Sequence, residues 1–419
     1  MSLLLHFQGL IGLALILGLA RLAAPRGAPG PGWRFVAGAL LMQLGLALLI
    51  LRVPPVWAAL QWLNRGVEAV ERAMLVGSSY MFGWVGGAPV PFPTSDGAEP
   101  PIIIAFRILP LVIVLSALSA LLWHWGVLRA AVKALGLALE RTLGISGVVG
   151  LGAGASLFLG VVEAPLVMRA WLERVSRAEL FQLMVLAMAT ISGALLVLYA
   201  TTIRAIVPDA VGHLVSASLI SLPAALLVAR LMEPGEDHST AAGEVGLRYE
   251  SSIDAIVTGT MEGVKLFLAV IGIIIVVFAL VALVDQALGL LQGVAGAPLS
   301  VRRLFGWLFA PVMWALGVPW GDAALAGQLM GTKAILNEYV AFLELAALPE
   351  GSLRPRSLLI LTYALCGVSN LASVGLLVST IGTLAPGRRA EAAALGLRAW
   401  AAGNGATLMT GAIIGLLVG

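Results

Sequence analysis

The stretch Asp322 to Leu345, DAALAGQLMGTKAILNEYVAFLEL, decides how the rest of the chain is read. It is apolar throughout, yet Asn337 and Glu338 stand in its middle and Pro319 lies just upstream. Crossing a ~30 Å hydrocarbon layer takes ~20 helical residues, so neither half of this stretch can span alone. Gly147 to Leu172, GVVGLGAGASLFLGVVEAPLVMRAWL, has the same form around Glu163. Arg141, Arg169 and Arg174 flank it on both sides, which keeps both of its ends on one face of a membrane. The economical reading is a re-entrant helical hairpin turning around Val162 and Glu163, where Gly160 and Pro165 loosen the backbone. Asp322 to Leu345 is then a second hairpin entering from the opposite face.

Outward from the hairpins, the composition fixes the solvent. Hydrophobic residues make up 60% of the 419 positions and charged residues 11%, against ~25% charged in soluble domains. About eight further apolar runs are long enough to span: 3–19, 36–51, 102–122, 180–200, 213–228, 266–284, 358–377 and 401–418. The fold class expected is therefore an all-α integral membrane protein with about eight transmembrane helices plus two re-entrant hairpins. The first run continues straight to Arg21 and is read as a retained helix rather than a cleaved leader. Arginines cluster after alternate runs, which by the positive-inside rule puts both termini outside.

The same features exclude several function classes. The formal charge of +3 is spread over span ends rather than gathered in a patch, so no nucleic-acid partner is expected. No Walker loop occurs, so ATP hydrolysis is not expected, and the chain is not read as an enzyme. His6, His124, His213 and His238 have no metal-ligand spacing, and the single cysteine, Cys366, allows no intrachain disulfide.

The two halves repeat weakly. Each has an amphipathic segment (128–143 and 301–316), a hairpin with a mid-depth Glu, a span with a polar interruption, and a final span. The interruptions are Thr190, Ser192 and Gly193 in one half and Asn370 and Ser373 in the other. Opposed hairpins at corresponding places are the signature of an inverted-repeat secondary transporter with its site at the midplane. A Glu near the bilayer centre costs at least ~2.5 to 3.5 kcal/mol, so Glu163 and Glu338 are the strongest functional candidates. An ionised carboxylate accepts hydrogen bonds from ligand hydroxyls, and a dry one can carry a proton; pairing with a Lys such as Lys333 is the structural alternative. Asn370 and Ser373, three apart, share a helix face and offer donors and acceptors to a polyhydroxylated ligand. The break at Thr190, Ile191 and Ser192 offers carbonyl and hydroxyl oxygens to a hard cation.

At these residues the chain resembles the concentrative nucleoside transporter family over nearly its full length. The telling stretches are EAPLVMRAWL (163–172), FGWLFAPVMWALGVPWGDA (305–323), GTKAILNEYVAF (331–342) and TYALCGVSNLASVG (362–375). The resemblance implies a homotrimer, with no cofactor and Na+ or H+ as coupling ion, and the compact loops suit a bacterial inner membrane. It also implies an elevator-like transport domain moving against a scaffold. On that division, 1–127 carries scaffold helices 1–3. Residues 128–232 are the first transport repeat, with its interfacial helix, hairpin 1 and helices 4 and 5. Scaffold helix 6 falls in 233–299, and 300–419 is the second repeat. Ribose binding maps to Glu338, Asn370 and Ser373, and the remaining substrate contacts to Val161, Val162, Glu163, Leu195 and Val368. The ion site maps to Ser156 with Leu159 and to Thr190 with Ile191. The first hairpin departs from the family pattern: where members read GQTEAP or GQSE, this chain reads GVVEAP. Val161 and Val162 cannot hydrogen-bond a base edge through their side chains. The expected function is secondary active import of nucleosides or nucleoside-like solutes. The alternative is a divergent paralogue of the same fold carrying another polar or amphipathic solute.

Overall fold

The computed structural model describes residues 2–91, 102–236, 239, 247–291, 293, 294 and 298–418, with side chains described from residue 8 onward. Among them every regular element is helical. His238 and the side chain of His6 lie outside the described residues.

The chain opens with α1 (Ser2–Leu22), α2 (Trp33–Arg52), α3 (Pro54–Phe82), α4 (Ile104–Arg107) and α5 (Pro110–His124). Then comes α6 (Val127–Leu143), followed by the first hairpin limbs, α7 (Gly147–Phe158) and α8 (Glu163–Val167). A broken span, α9 (Arg177–Ala189) and α10 (Gly193–Ile203), leads to α11 (Ala210–Met232). After the long α12 (Ser252–Gly289), α13 (Val301–Ala315) precedes the second hairpin, α14 (Trp320–Gly331) and α15 (Glu338–Ala346). A second broken span, α16 (Pro355–Leu365) and α17 (Leu371–Leu384), ends in α18 (Arg389–Leu417).

The order interfacial helix, hairpin, broken span, span thus occurs twice. Glycines let each interfacial helix lie directly on its hairpin: a Cβ on Gly154 of α7 would stand 2.4 Å from the Val132 carbonyl of α6, and one on Gly327 of α14 would stand 2.8 Å from the Ala310 amide of α13. The axes of α13 and of the first limb of hairpin 2 meet at 119°, so neither continues the other across a bilayer. Ser and Asn side chains cap the helix starts at Ser146, Ser176, Ser192, Ser251, Ser300, Asn337 and Asn370. Each supplies an acceptor to backbone N–H groups that the first helical turn leaves unpaired.

Two elements are longer than their hydropathy suggests. The amphipathic stretch around Glu68 and Arg72 is part of α3, a helix of 29 residues started by Pro54; its charges pair along the surface (Arg72 to Glu68, 3.8 Å) or across to α10 (Arg204 to Glu71, 2.9 Å). The apolar run 266–284 is the middle of α12, which extends over 38 residues from a Ser251 cap. Helices α9, α11 and α18 are buried in the core. By contrast α12 is bare along most of its length, with Leu268, Ile275, Leu280 and Leu283 each more than half exposed in the single chain. Apolar surface of that extent belongs against lipid or another chain.

Candidate substrate and ion site

The two hairpins, the two helix breaks and α12 enclose two adjoining cavities. The smaller, about 120 Å³, is lined by Ser156, Leu159, Val161, Thr190, Leu195, Tyr199, Glu338, Val368 and Ser373, with Leu266, Ala269, Val270 and Ile273 of α12 as its far wall. The larger, about 350 Å³, shares Leu159, Val161, Leu195 and Leu266 with it and adds Val162, Glu163, Tyr249, Glu262 and Lys265.

Glu338 is positioned by the residue before it. Asn337 Oδ1 accepts from the Tyr339 amide (2.8 Å) and the Val340 amide (3.4 Å), starting α15 at the carboxylate. The Glu338 side chain is almost wholly buried. Its Oε1 accepts from the Tyr199 hydroxyl (2.7 Å) and its Oε2 from Asn370 Nδ2 (2.6 Å). Asn370 uses both ends of its amide, because its Oδ1 also accepts from the Ser373 amide (2.8 Å) and caps α17. A carboxylate offers about four lone-pair sites, so acceptor capacity remains for ligand hydroxyls. The alternative of a hydrogen-bonded pair with Lys333 is not what is found: Lys333 gives its hydrogen bonds to Ser369, Asn404 and Thr407.

Sequence reasoning missed Tyr199. The signal was present, since Ser192, Leu195 and Tyr199 fall at i, i+3 and i+7 and share one face of α10. The Tyr199 ring lies nearly parallel to that of Tyr339, with centroids 5.4 Å apart, which fixes where its hydroxyl points.

Glu163 faces the larger cavity from the start of α8. Its carboxylate folds back against the hairpin turn, so closely that a Cβ on Gly160 would lie 2.3 Å from Oε2. Across from it stand Tyr249 and the ion pair of Lys265 with Glu262 (2.7 Å) on α12. Tyr249 precedes α12, outside the spans. Burial, and then the neighbouring Glu163 and Glu262 carboxylates, push its phenol up to about 12, so it stays a neutral donor at physiological pH. Val161 and Val162 present only methyl groups at the hairpin tip.

At the expected ion residues, Thr190 Oγ1 has the carbonyls of Ser156 (2.9 Å) and Leu186 (3.0 Å) both within reach of its single proton. The Val368 amide donates to the Thr190 carbonyl (3.3 Å), so the two helix breaks touch. The Ser156 hydroxyl is buried and has no protein partner. Leu159 lines the small cavity, whereas Ile191 is buried in the break and does not reach it.

Three family models cover most of the chain. Those for the N- and C-terminal parts of Na+-dependent nucleoside transporters match residues 11–85 and 213–415, and one described as "nucleoside recognition" matches 105–205. The putative nucleoside permease NupX of Escherichia coli (strain K12) is 33% identical over 397 residues, and the nucleoside permease NupC of Helicobacter pylori 30% identical over 393; each alignment covers 92% of both chains. A solved structure of CNTnw in an inward-facing, substrate-bound state superposes with a TM-score of 0.89 at 33% identity, over 99% of both chains. Likeness of sequence and fold over almost the whole length is the mark of common descent: this chain belongs to the concentrative nucleoside transporter family, whose members are transporters and not enzymes.

Proposed function

We propose that the chain imports nucleosides or close ribosyl analogues by symport with Na+ or H+. The body formed by 128–232 and 300–419 carries the site, moving like an elevator against the scaffold of 1–127 and 233–299 within a homotrimer in an inner membrane. The observation that carries the reading is the Glu338 carboxylate, held on one side by Tyr199 and on the other by Asn370, with Ser373 on the same wall. Two vicinal hydroxyls of a ribose match a carboxylate with spare lone pairs beside a serine hydroxyl. The base end would lie toward Glu163, Val161, Val162 and Leu195, with Val368 beside the ring. Ser156, Thr190 and the backbone near Leu159 and Ile191 would supply oxygens to the coupling ion, a role that the unpartnered Ser156 hydroxyl supports.

Uptake of labelled nucleosides into proteoliposomes under imposed sodium or proton gradients tests this. Saturable uptake driven by one of the two is expected, and no uptake or binding of any nucleoside refutes the substrate reading. Val161 and Val162 favour a second reading, another polar or amphipathic solute on the same scaffold. A thermal-shift screen separates the two, since only a ligand of the folded state raises its melting temperature.

A further inference from the structure

Lys333, in the second hairpin, is a wholly inaccessible basic residue that lies outside the substrate wall. Its Nζ lies 2.8 Å from Ser369 Oγ, 2.8 Å from Asn404 Oδ1 and 3.0 Å from Thr407 Oγ1. The surrounding bonds orient two of these oxygens. Asn404 spends Nδ2 on the carbonyls of Ser369 (2.9 Å) and Trp400 (3.0 Å), so its Oδ1 is free to accept. Thr407 donates its hydroxyl proton to the Asn404 carbonyl (3.1 Å), leaving its lone pairs toward the lysine. Three N–H groups of an ammonium therefore meet three neutral oxygens. A hydroxyl, an amide oxygen and a second hydroxyl are also a donor set that suits a hard metal cation.

The position of this cluster in the repeat matters as much as its chemistry. In the first repeat, hairpin 1 meets its helix break through Thr190 and Ser156, where one buried hydroxyl is unpartnered. In the second, hairpin 2 meets its helix break through Lys333 and Ser369. Ser192 and Asn370 cap the helices after the two breaks in the same manner, each accepting from the amide three residues on. The two hairpin-to-break junctions thus correspond. One holds a buried hydroxyl with no protein partner, the other holds oxygens bonded to an ammonium.

We propose that Lys333 is a tethered cation. Its ammonium occupies, in the second repeat, the place that the exchangeable coupling ion takes in the first, so that a single positive charge crosses with each solute while the second stays with the protein. The proposal rests on the coupled-transport reading above, but its central test does not require a nucleoside. Lys333→Ala leaves the three oxygens around a space of the size of a small alkylammonium. Its melting temperature is expected to rise with millimolar ethylammonium, which restores three N–H donors, and not with tetramethylammonium, which has the charge without donors. The wild-type protein should respond to neither. Failure of ethylammonium to stabilise the folded variant overturns the proposal.

Should Lys333→Ala not fold, the wild-type protein still decides. Charge movement per solute, read by electrophysiology on supported proteoliposomes alongside labelled uptake, is expected to be one, and two overturns the proposal. Lys333→Met, which keeps the bulk and loses the charge, should weaken solute affinity by more than about tenfold; wild-type affinity and ion dependence in that variant also overturn it. Absence of nucleoside binding by the wild-type chain would refute the substrate reading alone, because rescue by ethylammonium would still report the tethered cation.

Discussion

At the scale of single residues, the site depends on how a buried carboxylate is kept satisfied. Glu338 accepts from Tyr199 and Asn370, and removing one such donor costs about 1–3 kcal/mol. Tyr199→Phe keeps the ring stacked on Tyr339 and deletes only the hydroxyl, so nucleoside affinity by calorimetry should fall about 5- to 150-fold. Unchanged affinity would make Tyr199 a packing residue only. Glu163 depends instead on the lack of a side chain at Gly160. Gly160→Ala places a methyl 2.3 Å from the present position of Oε2, and the flexible end of Glu163 must swing away. Melting should change by less than about 1 kcal/mol, whereas uptake should fall more than about tenfold, because the hairpin refolds around the new rotamer but the carboxylate no longer faces the cavity. Glu163, Glu338 and Ser373, which line the cavities, and Asn370, which bonds Glu338, stood out in the sequence because a polar group in an apolar run demands a reason. Tyr199 did not, because a tyrosine is tolerated in such a run; its meaning appears only when α10 crosses hairpin 2, 139 positions away in sequence.

At the scale of elements, the two broken spans do their work by ending one helix and capping the next inside the core. Asn370 does two jobs there, and two substitutions separate them. Asn370→Ser retains a side-chain acceptor for the Ser373 amide and loses the amide donor to Glu338, while Asn370→Ala loses both. Thermal unfolding should place the Ala variant below the Ser variant by about 1 kcal/mol, the worth of a helix cap, with solute affinity lowered in both. Equal stability would mean that the cap contributes nothing. The interfacial helices were legible almost to the residue, 128–143 against Val127–Leu143 and 301–316 against Val301–Ala315, since amphipathic periodicity survives translation into structure. In the run 358–377 Asn370 and Ser373 marked the interruption, but its start at Cys366 was hidden, because hydropathy averages over non-helical residues that remain apolar. The start of α12 was lost for the opposite reason. Thr258, Glu262 and Lys265 look like the end of a span, yet the helix continues through them by satisfying its own charges at 2.7 Å and hydrogen-bonding Thr258 back to Asp254.

At the scale of the whole molecule, the contacts between α3 and the hairpin-bearing body bear on the proposed motion. Glu71 of α3 pairs with Arg204 beside α10 at 2.9 Å, and Gln61 and Asn64 of α3 reach Asp209 ahead of α11 at 3.4 and 3.3 Å. Arg204 is largely exposed, and such surface pairs are worth about 0–1 kcal/mol. Contacts this weak hold one arrangement of the two bodies without preventing another. On the proposed division, which assigns α3 to the scaffold and Arg204 and Asp209 to the moving body, an elevator-like displacement would shear this seam. Replacing Glu71 and Arg204 by cysteine and joining them with a short, cleavable bifunctional thiol reagent should therefore arrest uptake. Thermal stabilisation by solute should persist, and cleaving the reagent should restore flux. The background suits the experiment, because Cys366 is the sole native cysteine and is fully buried. Complete cross-linking with undiminished uptake would mean that α3 travels with the transport body, and the boundary between the two bodies would then have to be redrawn on the far side of that helix.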